Sequence, residues 1–510
     1  MSASKFYITT AMDYPNSSPH IGHAYEKIIA DAMARFKRCD GQEVRFVTGT
    51  DEYGLKILQT ATQAGCSPAD LVAENSSKFR HMNDELNISY DCFLRTTDPR
   101  HHETASVLWR RLGDKGDIYK SLYEGWYSVR DEMYFSNDET ALDSDGIRRS
   151  VVSQSEVQWI EEESYFFRLS RYQDRLLQHY ETNPNFICPE ARRNEVIKFV
   201  QGGLMDLSVS RSKFHWGIPV PDDPSHVLYV WLDALASYLT GVELLNADAG
   251  GLADFWPANL HVIGKDITRF HAVYWPAFLM SAGLPVPKQI FAHGFILSDG
   301  AKMSKSLGNV IDPMDLASTY GIDQTRFFFL REISSGNDGN YSDEAMIGKI
   351  NSDLANDLGN LVQRALSMIA RNCGGILPVP DQFTPEDCSL LDQADLLLDL
   401  SRTAYDAFAI HKSLEGIWSV ILATNKYFTA EAPWVLSKTD LQRMKTVLYV
   451  TSEVIRKIAL LLQPVMPSSS SKILDLLGQD ETSRQFSHFR HMIEGGITLP
   501  APVPVFPRHG

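Results

Sequence analysis

The stretch that decides the fold begins Phe6-Tyr7-Ile8-Thr9-Thr10, a short run of β-branched and aromatic residues that predicts a strand. A polar loop over residues 14–19 follows, and apolar residues then recur at helical spacing from Ile21. Residues 44–49 predict the next strand, and a further helix is expected from Leu55. This strand–loop–helix–strand order indicates an α/β fold with a doubly wound parallel sheet of Rossmann type, which binds ligands at the carboxyl ends of its strands.

Outward from this unit, the pattern changes twice along the chain. In the middle of the chain, short strand-like pieces and Arg-bearing helices replace the regular alternation of strand and helix. The sheet is then expected to resume at 227–230, 260–264 and 289–293. Later, helical periodicity runs over 347–370, 390–408, 414–429 and 441–462, which predicts an antiparallel bundle.

The expected domain divisions follow from these changes. The two halves of the sheet domain are 1–115 and 225–298, and a connective insertion at 116–224 separates them. A lysine-bearing loop and junction take 299–345, the bundle takes 346–494, and 495–510 is a Pro-rich tail that is either loose or a strap.

Hydrophobic content, net charge and cysteine spacing limit the classes of protein that fit this chain. The chain has 510 residues, 44% of them hydrophobic, and no run long and apolar enough for a transmembrane helix. The net charge of −16 argues mildly against non-specific nucleic-acid binding, so no DNA partner is expected. The six cysteines are scattered without a Cys-x-x-Cys pair, which predicts free thiols. A cytoplasmic protein with no membrane association is the simplest interpretation.

Two motifs carry the chemistry. His20-Ile21-Gly22-His23 stands at a predicted helix start, where free backbone N–H groups attract phosphate and imidazoles donate hydrogen bonds. Lys302-Met303-Ser304-Lys305-Ser306 lies between Gly300 and Gly308, on a loop able to bring two ammonium groups to the phosphates. Alone, the histidine motif could be a pair of helix-cap histidines with no ligand, and the lysine motif could be a solvated basic loop. Together they predict a divided ATP site for nucleotidyl transfer, in which pyrophosphate leaves.

The pair of motifs resembles the signature of class I aminoacyl-tRNA synthetases, and other segments resemble the methionyl-tRNA synthetase family over nearly the whole chain. The segments that carry this resemblance are Ala11-Met12-Asp13-Tyr14-Pro15-Asn16, Trp231-Leu232-Asp233-Ala234 with Tyr238, Gly264-Lys265-Asp266-Ile267 with Phe270-His271, His293-Gly294, Asn360 with Arg364, and Pro433-Trp434. The resemblance implies a ligase that activates L-methionine with ATP and Mg²⁺ to methionyl-adenylate and transfers it to the 3′ end of initiator and elongator tRNA(Met).

The resemblance also implies roles for individual residues. The expected catalytic groups are His20, His23, Lys302 and Lys305, and the expected ATP-binding residues are His20, Gly22, His23, Gly264, Asp266, His271 and Lys305. The expected methionine-binding residues are Met12, Tyr14, Asp51, Trp231, Ala234, Leu235, Tyr238 and His293. Sulfur packs well on aromatic rings, which suits this set to a thioether, and Asp51 suits the substrate ammonium. Asn360, Arg364 and Trp434 are expected to read the CAU anticodon.

Several residues keep a structural alternative. The aromatic residues could be ordinary core, Asp266 could be a buried carboxylate that caps a helix, and Asn360, Arg364 and Trp434 could be surface groups. Arg211 matches an arginine that borders the family's amino-acid site, or it forms a structural ion pair. We expect His101 and His102 on the surface, because adjacent helical residues point apart.

The chain departs from the family pattern at three places. Leu235 stands where the family has proline, which could reshape the pocket wall. Ser128 and Asp131 stand where many members have zinc-binding cysteines, so we expect a metal-free insertion with no structural zinc, and no metal-ligating site residues. No C-terminal β-barrel follows the bundle, which predicts a monomer.

Three other functions compete. A synthetase for another small apolar amino acid is disfavoured by the lack of a large editing insertion and of zinc ligands. A different adenylyl or cytidylyl transferase would leave the helical half unexplained. A non-catalytic RNA-binding paralogue would have no need to keep both Lys302 and Lys305.

Overall fold

The computed structural model describes residues 4–131, 133–245, 250–298, 300–302 and 309–509. Its strands are β1 (Lys5–Asp13), β2 (Glu43–Thr50), β3 (Cys92–Arg95), β4 (Ile118–Ser128), β5 (Met133–Phe135), β6 (Thr140–Leu142), β7 (Arg148–Ser150), β8 (Gln158–Phe167), β9 (Ile187–Cys188), β10 (Leu207–Ser208), β11 (Ser210–Arg211), β12 (Pro219–Val220), β13 (Asp223–Leu228), β14 (Leu260–Gly264), β15 (Ile290–His293), β16 (Ile296–Ser298), β17 (Ala301–Lys302) and β18 (Gly339–Tyr341).

Helices surround these strands and form the bundle that follows β18. They are α1 (Ile21–Cys39), α2 (Leu55–Ala64), α3 (Pro68–Glu85), α4 (Pro99–Asp114), α5 (Gln173–Thr182), α6 (Glu190–Gln201), α7 (Val230–Thr240), α8 (Trp275–Ala282), α9 (Pro313–Tyr320), α10 (Ile322–Glu332), α11 (Asp343–Lys349), α12 (Asn360–Asn372), α13 (Pro385–Asp395), α14 (Leu397–Asp406), α15 (Ile410–Glu431), α16 (Pro433–Thr439), α17 (Leu441–Leu462) and α18 (Pro467–Leu476). Two stretches, Phe270–Tyr274 and Ile350–Gly359, are π-helical.

The predicted Rossmann-type sheet is confirmed. In the described ranges it has six strands in the order β3-β2-β1-β14-β15-β9, and every neighbouring pair is parallel. The order reverses direction between β1 and β14, which is the switch point where such sheets bind ligands. The edge strand β9 comes from the range that we expected to be a separate insertion.

The expectation that the sheet resumes at 227–230 is wrong. Residues 227 and 228 end β13, which pairs antiparallel with β11 and β12 in a small separate sheet. The chain then enters α7 at Val230. Four further strands of the middle region form an antiparallel sheet in the order β10-β8-β4-β5.

The region after β18 is helical, as predicted, and the last residues form a strap. An isolated bridge pairs Thr498 with Ile376, and Lys472 Nζ donates to the carbonyl of Pro504 at 2.7 Å. Phe506 is buried beside Gly359. Of the two arrangements that the sequence allowed for this tail, the structure has the strap.

One buried guanidinium joins the sheet domain to the helical bundle. Arg326 of α10 donates from Nη2 to Asp31 Oδ2 of α1 at 2.5 Å and to the carbonyl of Pro464 at 3.0 Å. It also donates to the carbonyl of Val465, which follows α17, and to that of Leu86, the C-cap of α3. Both Arg326 and Asp31 have no exposed side-chain surface. This arginine therefore ties the helices of the sheet domain to the bundle.

We predict that Arg326→Leu lowers the free energy of unfolding by about 3 kcal/mol, because it leaves a buried carboxylate without its main partner. Urea unfolding measures the effect. The matched control is Arg402→Leu, since Arg402 also joins α1 to the bundle through Asp40 but is partly exposed. That variant should lose about 1 kcal/mol or less. Equal losses in the two variants would contradict the role given to Arg326.

Candidate active site

A single cleft of about 900 Å³ opens at the carboxyl ends of β1, β14 and β15. It is lined by all fourteen of the described residues that we expected to bind ATP or methionine, the ATP set being His20, Gly22, His23, Gly264, Asp266 and His271 and the methionine set being Met12, Tyr14, Asp51, Trp231, Ala234, Leu235, Tyr238 and His293. The sheet topology explains the convergence, since strands far apart in sequence end at the same edge.

His20 and His23 lie at the start of α1 and contact each other. His20 is the N-cap, and its Nδ1 accepts from the Gly22 N–H at 3.1 Å. His23 Nδ1 accepts from the His20 N–H at 3.1 Å, and the two rings stack with centroids 3.9 Å apart. A Cβ on Gly22 would lie 2.9 Å from the His20 ring, so the stack requires glycine there.

This capping geometry sets the tautomers of both rings. Each Nδ1 accepts a backbone N–H, so in a neutral ring the proton is on Nε2. Burial lowers the pKa of His23 well below its usual value, and the nearby His20, Lys27 and His293 lower it further. Both rings therefore offer an Nε2–H donor beside a helix N-terminus, which suits phosphate oxygens.

The opposite side of the cleft is formed where β14 ends. Gly264 is the last residue of that strand, and a Cβ there would lie 2.6 Å from Asp266 Oδ1. Asp266 is exposed, so the alternative of a buried capping carboxylate is wrong. The glycine leaves room for the Asp266 carboxylate, and this exposed carboxylate offers hydrogen-bond acceptors at the cleft.

An aromatic wall closes the inner end of the cleft. Trp231 stacks on Phe270 with centroids 3.7 Å apart and planes 6° apart. Tyr238 is buried, and its hydroxyl lies 2.7 Å from His271 Nε2. Ala234 and Leu235, also buried, complete the wall from the same helix α7.

His271, which we expected to bind ATP, lies beside the methionine-pocket tyrosine. Its Nδ1 faces the carbonyl of Ile267 at 3.1 Å and therefore carries a proton. Burial lowers the pKa of His271 to about 4, so at neutral pH Nε2 accepts from the Tyr238 hydroxyl. The Tyr238 hydroxyl proton is thus held by His271, and the oxygen keeps a lone pair with which to accept another hydrogen bond.

A buried charge cluster that sequence patterns did not reveal borders the cleft. Lys27 Nζ contacts Asp13 Oδ1 at 3.0 Å and Glu26 Oε1 at 2.8 Å. Glu26 Oε2 in turn lies 3.2 Å from His293 Nε2. Burial raises the pKa of Asp13, and Lys27 opposes that rise. The cluster fixes His293 against the cleft and connects it to the end of β1.

The lysine motif is described only at its start. Lys302 ends β17, whose backbone pairs with β16 at Leu297. Lys305 lies outside the described residues, as do Met303, Ser304 and Ser306. β16 follows His293 directly along the chain, so the motif begins next to the cleft.

Comparison with known families identifies this architecture. The model described as "tRNA synthetases class I (M)" matches residues 6–144 and 140–366, and "Anticodon binding domain of methionyl tRNA ligase" matches residues 377–508. The chain belongs to the class I methionyl-tRNA synthetases. Its enzyme class is therefore methionine–tRNA ligase.

Individual relatives agree over the full length. The "Methionine--tRNA ligase" of Rhizobium meliloti (strain 1021) is 57% identical, covering 99% of this chain and 98% of the relative. That of Mycobacterium tuberculosis (strain ATCC 25618 / H37Rv) is 56% identical with the same coverage. A solved structure of the Mycobacterium tuberculosis methionyl-tRNA synthetase with methionyl-adenylate has a TM-score of 0.97 at 55% identity, covering 99% of this chain and 100% of that one. The free-state structure of that synthetase has a TM-score of 0.90 at 52% identity, covering 100% of this chain and 99% of that one.

A second, smaller cleft of this synthetase lies in the bundle and has a volume of about 290 Å³. The Arg364 guanidinium lies 4.9 Å from the Phe428 ring centroid and 5.6 Å from that of Trp434. Ala432, in the left-handed region with φ +46°, ends α15 and lets Pro433 begin α16. Trp434 then stands 43% exposed. Asn360 is exposed one turn before Arg364, so the three predicted anticodon residues share one surface.

The insertion holds a hydroxyl cluster where many family members have cysteines. Ser128 Oγ bonds to Ser155 Oγ at 2.9 Å and accepts from the Asp131 N–H at 3.1 Å. Asp131 Oδ2 accepts from Ser153 Oγ at 2.5 Å and from Ser155 Oγ. One carboxylate with three hydroxyls does not fit zinc, which prefers thiolate and imidazole. Within the described part of the chain, no three His, Cys, Asp or Glu side chains form a metal site.

The structure also bears on four further expectations from the sequence, which concern His101, His102, Arg211 and membrane-spanning helices. The expectation of a surface His101 is wrong, because its side chain is fully buried against Asp233. His102 is half-buried and contacts the Tyr53 hydroxyl at 2.8 Å. Arg211 is buried with its guanidinium over Tyr229 and does not line the cleft. Among the described residues, every helix is too short or too polar to cross a membrane.

Proposed function

We propose that the large cleft carries out both steps of methionine–tRNA ligation with the residues expected from the sequence. The observation that carries this proposal is the meeting of the stacked His20–His23 pair and the Trp231–Tyr238 wall in one cleft. A phosphate-binding helix start and an apolar aromatic pocket together suit a nucleotide and an amino acid that must react with each other.

In the first step, a carboxylate oxygen of methionine attacks the α-phosphorus of ATP. A new P–O bond forms, the bond to the β-phosphate oxygen breaks, and pyrophosphate leaves with the electron pair. The Nε2–H groups of His20 and His23 donate to the phosphate oxygens, and Lys302 and Lys305 neutralise the departing charge. Gly264 and Asp266 hold the adenosine side.

Mg²⁺ is proposed to arrive with ATP. It binds readily through substrate phosphates and retained waters, without an all-protein cage. This suits the described residues, which contain no group of three potential metal ligands. The ion would neutralise phosphate charge when bound.

Selection of methionine is assigned to the aromatic wall. Trp231 and Tyr238 give the thioether polarizable contacts, and Met12, Ala234 and Leu235 bound the apolar space. Tyr14 and His293 close its sides, while Asp51 pairs with the substrate ammonium. A pocket with fixed polar groups discriminates more strongly than an apolar pocket alone.

In the second step, a hydroxyl oxygen of the terminal ribose of tRNA attacks the methionyl carbonyl carbon and forms an ester bond. The bond from that carbon to the phosphate oxygen breaks, AMP leaves with the electron pair, and the hydroxyl proton is released. The bundle cleft is proposed to read the CAU anticodon of both initiator and elongator tRNA(Met). Trp434 offers an exposed ring for stacking a base, and Arg364 and Asn360 offer hydrogen bonds to base edges.

We also propose that the enzyme works as a cytoplasmic monomer. Light scattering of the purified protein tests its oligomeric state.

We predict that Lys305→Ala lowers kcat of methionine-dependent ATP–pyrophosphate exchange by about 100-fold, because it removes one charge that stabilises the transition state. The KM for methionine should change little. Exchange kinetics of wild type and variant measure both constants. The control is Lys438→Ala on an exposed surface of the bundle, which should match wild type. Wild-type kcat in Lys305→Ala would contradict the assignment.

We predict that Trp434→Ala lowers kcat/KM for charging tRNA(Met) by about 10- to 100-fold, the range expected for loss of one base-stacking contact. The exchange reaction needs no tRNA and should keep its wild-type rate. The matched control is Val435→Ala, an exposed neighbour on the same short helix. A parallel loss in exchange, or an equal loss in the control, would show that the anticodon assignment of Trp434 is wrong.

A further inference from the structure

We propose that His101 is a positioning residue for the methionine pocket, holding helix α7 so that Trp231 and Tyr238 stand at the correct depth in the cleft. The proposal rests on the proposed function, since it takes the wall of α7 as the methionine site. His101 itself lies outside the cleft and touches none of the expected substrates.

The geometry is that of a clamp across two turns of one helix. His101 Nε2 lies 2.6 Å from Asp233 Oδ1, and His101 Nδ1 lies 2.8 Å from Thr240 Oγ1. Asp233 and Thr240 are seven positions apart, which is about 10 Å along a helix axis. A single imidazole on α4 therefore fixes α7 near both of its ends.

Both ring nitrogens have an oxygen partner. The Thr240 hydroxyl lies within hydrogen-bond distance of His101 Nδ1, at 2.8 Å, and of the carbonyl of Ala236, at 3.3 Å. The Asp233 carboxylate accepts from Nε2–H. Burial raises the pKa of Asp233, and the His101 hydrogen bond opposes that rise. His102, Glu52 and Tyr53 are further titratable groups that interact with this carboxyl.

The clamp and the pocket occupy opposite faces of α7. At 100° per residue, Trp231, Ala234, Leu235 and Tyr238 form one face, and Asp233 and Thr240 point roughly 180° away from it. Any rotation or shift of α7 relative to α4 would move all four pocket residues together. The pocket side chains also contact residues outside α7, as the stacking of Trp231 on Phe270 shows.

Apolar packing alone does not define this position. Besides His101, α4 buries Ala105, Leu108 and Leu112 in the same core cluster as Leu232, Leu235 and Leu239 of α7. Hydrophobic contact is non-directional and tolerates neighbouring registers, whereas hydrogen bonds of 2.6 and 2.8 Å do not. The buried polar contacts can form in only one register, which gives the His101 clamp its positioning role.

The test separates positioning from stability by removing the whole pair. His101→Leu/Asp233→Leu replaces both buried polar groups with apolar ones, so neither is left as a buried group without its partner. The measurements are the KM for methionine, the KM for ATP and kcat in ATP–pyrophosphate exchange, with thermal unfolding of each protein. The control is Tyr449→Phe, which removes a buried hydrogen bond to the Ile493 carbonyl in the bundle.

We expect the double variant to raise the KM for methionine about tenfold or more and to leave the KM for ATP within about twofold, because only the pocket wall is displaced. Tyr449→Phe should keep both constants. A double variant that keeps the wild-type KM for methionine, or that raises both KM values equally, would overturn the proposal.

Thr240→Val gives a second, milder measurement should the double variant fail to fold. It removes only the hydroxyl that bonds to His101 Nδ1 and should raise the KM for methionine about threefold at unchanged KM for ATP. No change in the KM for methionine would overturn the clamp. Failure of the wild-type enzyme to exchange with methionine would instead overturn the proposed function, so the two failures are distinguishable.

Discussion

The buried Arg326–Asp31 pair is the interaction on which the rest of the structure depends. Removing a guanidinium and a carboxylate from water is costly, and such a pair persists only where hydrogen bonds satisfy its remaining groups. Here the backbone carbonyls at Leu86, Pro464 and Val465 accept from Arg326. Asp31 also accepts from Arg35 and from the Ser89 N–H and hydroxyl. The pair thereby fixes one arrangement of α1, α3, α10 and the end of α17.

Helix α1 is the element that this arrangement places. Its first turn carries His20 and His23, its middle carries Asp31, and its last turns contact the bundle. Phe36 stacks on Tyr405 with centroids 3.9 Å apart, and Lys37 pairs with Asp406. The phosphate-binding end and the bundle-binding end are thus parts of one helix of 19 residues. The cleft and the bundle share a rigid element, and the position of one constrains the other.

The sequence predicted the elements with strong periodicity and missed features that depend on tertiary contacts. Strands β1, β2 and β14 and helix α1 follow from local pattern, and the converging cleft follows from the topology of a doubly wound sheet. Residues 227–230 have an equally good strand pattern, but nothing local tells which sheet a short strand will join. The buried positions of Lys27 and Arg326 depend on partners far away in sequence, so no window could reveal them.

His101 shows how a sound rule gave a wrong conclusion. Adjacent helical residues do point apart, as His101 and His102 do. The same helix has Ala105, Leu108 and Leu112 at positions four, seven and eleven residues after His101. That spacing places His101 on the apolar face, and a histidine there must find buried partners. The amphipathic pattern could therefore have predicted its burial, but not that its partners lie on α7.

The central claim is that the cleft joins a phosphate-binding helix start to a thioether pocket. The most direct measurement is the amino-acid dependence of ATP–pyrophosphate exchange by the wild-type protein, with methionine, leucine and cysteine supplied separately. The account predicts exchange with methionine and little with the other two, because only methionine fills the aromatic wall and places its carboxylate towards the His20–His23 pair. Exchange driven by leucine or cysteine, and not by methionine, would contradict it.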